Sequence, residues 1–295
     1  MTIRLVCHAD WSASPDKRWM ATAIFQGNGH WLAFPAEPVG NTATLLKRLH
    51  RRSGDGSGPG GSMLIGFDFA IGLPLAFARR LGVDDFLSFL PQLGTGAWTD
   101  FFEVAALPEQ VSLHRPFYPT RPRLPGEVVP RHAHLLEGLG VESIDDLRRA
   151  CDRRRLSAAN DPGRLAAAPL FWTLGGQQVG KAAICGWREV IQPALATPAL
   201  GAVAVWPFSG ELFSLLGAGY TVIAETYPAE FYTHLGLTFP RRGKCERSGK
   251  RVQAARLDNA ARMMEWADMA GVAMHPGLRD QICSGFSPSP AGEDP

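Results

Sequence analysis

Three strand-length apolar runs, far apart in the chain, each deliver an acid at the C-terminal end. Residues Ile3 to Ala9 lead into Asp10, Ser62 to Phe67 lead into Asp68, and Tyr220 to Ala224 lead into Glu225. Short continuous apolar runs of this kind read as strands buried on both faces, which occur in layered α/β proteins. In open α/β sheets the carboxyl ends of the strands are where ligands bind. A carboxylate at the tip of a buried strand is costly unless something pairs with it, and converging carboxylates repel. Asp10, Asp68 and Glu225 therefore call for a cation, and hard oxygen donors suit Mg²⁺ or Mn²⁺.

The surrounding pattern gives an order of elements. Strands are expected at Trp19 to Phe25 and His30 to Phe34, joined by a tight turn at Gly27-Asn28-Gly29. Asn41-Thr42 opens a helix to about His50, with Leu45, Leu46 and Leu49 on one face. A Gly/Ser/Pro connector over 53–62 precedes the strand that ends in Asp68. Residues 75–200 carry little strand signal and read as a helical insertion, with helices at Leu75 to Leu81, Val83 to Leu90, Ser143 to Arg154 and 182–192, the last ending before Pro193. Strands return at Gly201 to Trp206 and Tyr220 to Ala224, and a long helix is expected over 252–272.

Bulk properties exclude several classes. The 295 residues are 45% hydrophobic and 20% charged, which is ordinary globular composition, and the expectation is a single domain over 1–295. A net charge of +2 excludes a polyanion-binding surface spread over the whole molecule. The five cysteines stand singly with no C-x-x-C pair, so neither a zinc site nor a disulfide framework is suggested, and a cytoplasmic setting is expected. Neither a leader peptide nor a run of membrane-spanning length is evident. No G-x-S-x-G elbow occurs, and no G-x-G-x-x-G opening a helix is present, which argues against a nicotinamide enzyme.

Basic residues could hold phosphate locally. Arg121 and Arg123 alternate with aromatics and prolines, and Lys244 and Arg247 belong to a basic loop over 240–251. Gly175 and Gly180-Lys181 satisfy the first part of a P-loop pattern, but Ala182 lacks the hydroxyl that the pattern requires for Mg²⁺. Lys181 and Gln178 are instead expected to reach toward the acids and position a phosphate. The Arg148 to Arg155 run reads as the solvated face of a helix, and His132 and His134 as surface residues.

Asp10-Trp11-Ser12, Gly66-Phe67-Asp68-Phe69-Ala70-Ile71-Gly72-Leu73-Pro74 and Glu225-Thr226-Tyr227-Pro228-Ala229-Glu230 together resemble the DUF429 family of ribonuclease H-like proteins. The resemblance implies a mixed α/β sheet flanked by helices, with the large insertion inside it. It implies a divalent-metal nuclease or phosphodiesterase with Asp10, Asp68 and Glu225 at the ion, acting on nucleic acid or a small phosphate ester. The family's closing acid corresponds best to Asp294. A second reading is an ATP-dependent phosphotransferase or ATPase of the actin and sugar-kinase type, which needs a glycine turn after the first acid; Trp11-Ser12-Ala13-Ser14 has none. A third is a non-catalytic binding module on the same fold.

Overall fold

The computed structural model describes residues 3–54, 61–118, 132–156, 163–173, 178–197, 202–239 and 249–286. In chain order the elements begin β1 (Ile3–Asp10), β2 (Trp19–Gly27), β3 (His30–Ala33), β4 (Glu37–Pro38), α1 (Leu45–Arg52) and β5 (Ser62–Phe67). Next come α2 (Leu75–Leu81), α3 (Phe86–Phe89), α4 (Ala133–Leu139), α5 (Val179–Gly186) and α6 (Gln192–Ala196). The last part holds β6 (Val203–Trp206), α7 (Leu212–Gly217), β7 (Thr221–Glu225), α8 (Pro228–His234), α9 (Gln253–Leu257), α10 (Ala260–Met269), β8 (Val272–Met274) and α11 (Pro276–Cys283). Among the described residues no helix is long and apolar enough to cross a membrane.

The chain divides into two compact units, Met1–Asp68 with Ala194–Pro295, and Phe69–Pro193. The first unit is an α/β body around an eight-stranded mixed sheet ordered β6-β7-β5-β1-β2-β3-β8, with β4 paired to β2. Strands β1, β5, β7 and β6 run parallel, while β2 lies antiparallel between β1 and β3. The central strands are the most apolar: Met63, Ile65 and Phe67 of β5 and Val222 and Ile223 of β7 are buried. Parallel pairing in register aligns the C-terminal ends of β1, β5 and β7 along one edge. The β2–β3 turn takes left-handed backbone at Gly27, Asn28 and Gly29, as its glycine and asparagine allow. Helix α1 buries Leu45, Leu46 and Leu49, and the Asn41 side chain accepts from the Ala43 N–H at 3.0 Å just before it.

One expectation in the first unit needs correction. The long helix over 252–272 is two helices, broken where Asn259 turns inward; its side chain bonds the Thr238 N–H and carbonyl and the Ala255 carbonyl. The chain then reverses at Gly271 (φ +67°) and enters β8 alongside β3. Three residues carry too little alternation for β8 to stand out in the sequence, and the two-residue β4 is equally silent.

The second unit has no named strand among the described residues. Its core is aromatic, with Phe171 packed against Phe77 at 4.7 Å and Phe117 at 5.1 Å between ring centroids. Asp85 caps α3 through the Leu87 and Ser88 N–H groups. The helix expected over Ser143 to Arg154 is instead two short 3₁₀ turns, Ile144–Leu147 and Ala150–Asp152. Between them Arg149 is buried, not solvated: Nε and Nη2 donate to the two Asp152 oxygens at 2.7 and 2.8 Å, and Nη1 donates to the Ile71 carbonyl. His132 and His134 are half-buried and meet Trp172 and Tyr118 edge to face. The helix through 182–192 does not stop at Pro193; a π-helical stretch at Trp187–Ile191 leads directly into α6, which contains the proline.

Candidate metal centre

Parallel pairing of β1 with β5 puts Ala9 opposite Phe67, so the next residues, Asp10 and Asp68, leave the sheet edge side by side. The Asp68 N–H extends the ladder to the Ala9 carbonyl, and the Trp11 N–H donates to Asp68 Oδ1 at 2.6 Å. Burial pushes the Asp68 carboxyl up to about 8, aided by a hydrogen bond with Asp10 and by its charge, while the Trp11 N–H opposes them. Asp68 therefore keeps its proton at neutral pH when no cation is near. Like-charge carboxylates on adjacent strands have this effect wherever both cannot ionise.

His8 lies two residues before Asp10 on β1 and so shares its face. Burial holds its imidazole below the ordinary range against the opposing charge of Asp10. Its Nδ1 lies 3.0 Å from the Thr226 hydroxyl, directly after β7. Gly66, opposite His8 in the ladder, makes room for this contact: a Cβ there would stand 2.5 Å from Thr226 Cγ2. Gly66→Ala is therefore expected to destabilise the protein by about 1–3 kcal/mol through overpacking. A lower urea midpoint, together with a changed His8 titration by NMR, checks it.

The pair opens onto a cavity of about 1070 Å³ whose lining lies wholly in the first unit. The sheet contributes His8, Asp10, Trp19 and Asp68. Trp19 is the direct cross-strand partner of Asp10. Helix α8 and the turn before it contribute Tyr232 and Tyr227. Burial and then the charges of Asp10 and Asp68 raise the Tyr232 phenol, so it stays a neutral donor. Lys17, Lys250, Arg251 and Arg256 bring positive charge to the rim, and Asp16 adds a further carboxylate. Arg256 is tethered, donating to the Gly285 carbonyl at 2.6 Å and the Lys250 carbonyl at 3.1 Å.

Of the other residues expected at the site, Glu225 falls elsewhere. Glu225 pairs with Phe67 in the β5–β7 ladder, whereas Thr226 reaches His8 on the Asp10 face. Strand alternation therefore directs Glu225 to the opposite face of the sheet, and it does not line the cavity. Gln178 sits at the N-terminus of α5 and Lys181 in its first turn, both in the second unit. The Gly180 N–H there is used by the Trp172 carbonyl at 2.7 Å. A Cβ at Gly180 would fall 2.8–2.9 Å from the Trp172 and Leu170 carbonyls and Phe117, so this glycine serves close packing. Arg121, Arg123, Lys244, Arg247 and Asp294 lie outside the described residues.

Sequence reasoning missed His8, Trp19, Tyr232 and Lys17. The period of two along β1 offers a signal for His8, since it is two residues from Asp10. No family model, curated protein or solved structure matches this chain.

Proposed function

We propose that the first unit is a divalent-metal phosphodiesterase, a nuclease of ribonuclease H-like layout. The observation that carries the reading is the convergence of Asp10 and Asp68 from neighbouring parallel strands onto one cavity with a cationic rim. The sheet order supports the layout: three leading antiparallel strands, with later parallel strands added beside the first.

The donor set fits Mg²⁺ or Mn²⁺. Asp68 keeps a proton only because burial and Asp10 oppose its charge, which is the electrostatic state that a dication relieves. Asp10 and Asp68 would hold the ion. His8 Nδ1 is engaged by Thr226, which leaves Nε2 as the nitrogen able to join the shell and favours Mn²⁺ over Mg²⁺. Such an ion lowers the pKa of a water and polarises a phosphoryl oxygen. Lys17 and Arg251 would orient the phosphate, and the Tyr232 hydroxyl would donate to one of its oxygens. The buried Cys7 thiol is pushed up to about 12 and takes no part as a thiolate.

The test is hydrolysis of a nucleic-acid strand and of a small phosphodiester with Mn²⁺ or Mg²⁺, beside an Asp10→Asn variant. Loss of an outer partner of a metal ligand already costs about 10–100-fold. Loss of Asp10 itself should remove at least about a hundredfold of the activity. Equal activity in both proteins refutes the assignment, and hydrolysis of ATP alone would favour the phosphotransferase reading.

A further inference from the structure

We infer that this cavity takes a single nucleic-acid strand, with an unpaired base stacked on Trp19 and the backbone held by Lys17, Lys250 and Arg251. The inference rests on the phosphodiesterase reading and specifies its substrate. Trp19 stands directly opposite Asp10 in the β1–β2 ladder. Cross-strand neighbours of this kind have Cβ atoms about 4.5–5.5 Å apart. An indole beside the reacting centre thus places a base next to the phosphate being cleaved.

Trp11, the other indole near the acids, is not available for this. It is buried edge-on against Phe67 at 5.3 Å, with the Arg18 guanidinium 4.3 Å from its ring centre. Trp19 is half-buried and lines the cavity. Tyr232, braced edge to face by Phe239 at 5.1 Å, lines it too and adds a second ring. Aromatic platforms flanked by cations bind single strands with little regard to sequence, because every base has a π-face. Bases inside a duplex are already stacked and cannot use them.

The cations come from two separate segments. Lys17 lies in the turn between β1 and β2, and Lys250 and Arg251 in the turn before α9; all three are exposed. The whole-chain charge of only +2 makes attraction of phosphate local to such clusters and not spread over the whole molecule.

Fluorescence anisotropy in chelator, where no cleavage occurs, tests the inference. The probes are an eight-nucleotide strand, the same strand annealed to its complement, and an abasic strand with the same number of phosphates. The single strand is expected to bind at least tenfold more tightly than either other probe. Trp19→Ala should weaken the base-bearing strand about tenfold and leave the abasic strand unaffected. Trp19→Phe should recover most of the loss. Lys17→Ala should weaken all three probes and lower the steepness of the salt dependence by about 0.7. Equal binding of duplex or abasic strand, or an unchanged Trp19→Ala, overturns the inference. Mn²⁺-induced thermal stabilisation of the unaltered protein, absent in Asp10→Asn, reports on the phosphodiesterase reading separately. If it is seen while stacking fails, the metal centre stands and the strand does not.

Discussion

Asp68→Asn, studied in chelator, unfolds at a higher temperature than the unaltered protein at pH 8.5 and at the same temperature near pH 4. The folded carboxyl titrates at about 8 instead of 3.8, chiefly through burial and then through Asp10. Between those values the folded protein holds a proton that the unfolded chain has released. The group's contribution to stability is therefore complete below pH 3.8 and is lost as pH rises through about 8. Asparagine cannot ionise, so the gap between the two proteins opens across that window. Two charges about 4 Å apart cost about 4 kcal/mol at an effective dielectric of 20, and the open cavity screens part of that. A gain of about 1–3 kcal/mol is expected, or about 2–4 °C for each kcal/mol in a chain of this size. On the proposed metal reading, Mn²⁺ should reverse the order by stabilising the folded unaltered protein and not the variant. Parallel pH profiles would mean that the two carboxyls do not share a proton.

Arg149→Met is the substitution expected to damage stability most. The guanidinium and Asp152 are 5% and 7% exposed, so removing one partner leaves the other charge buried without its counterion. Breaking a buried pair in this way costs about 3–5 kcal/mol. The change also removes the bond that Nη1 donates to the Ile71 carbonyl at 2.8 Å. Arg149→Lys should recover little, because an ammonium cannot reproduce the two parallel bonds. The double variant Arg149→Met with Asp152→Leu should recover most of the loss, since both charges are then gone. Urea midpoints for these proteins and for Asp152→Leu alone decide it, and an additive double variant would show that the pair is not coupled.

Both substitutions bear on what the linear chain reveals. The acid-tipped strands were legible because β1, β5 and β7 are short apolar runs that end at a carboxylate, and that pattern located Asp10 and Asp68. It did not carry the parity of β7. A shift of one residue sends a side chain to the other face, and only the pairing of Phe67 with Glu225 reveals which face the glutamate takes. Trp19 was hidden for a related reason: its place beside Asp10 depends on the β1–β2 register, not on anything local. Arg149 looked solvated because its neighbours are arginines. Its burial comes from two tight turns where helical periodicity was expected. Asn259 broke a helix by serving the backbone of Thr238, a partner twenty-one positions away that no short window contains.

The wall opposite Asp10 and Asp68 is drawn from residues 227–286, and β8 closes the sheet against β3 from equally far along. A ribosome working at about 5–20 residues per second needs on the order of ten to forty seconds to travel from the second aspartate to that wall. Throughout that interval the nascent chain presents its acids with Lys17 and Trp19 but without Lys250, Arg251 and the two tyrosines of the cavity. The proposed site thus stays unassembled beside messenger and ribosomal RNA until that wall has been made.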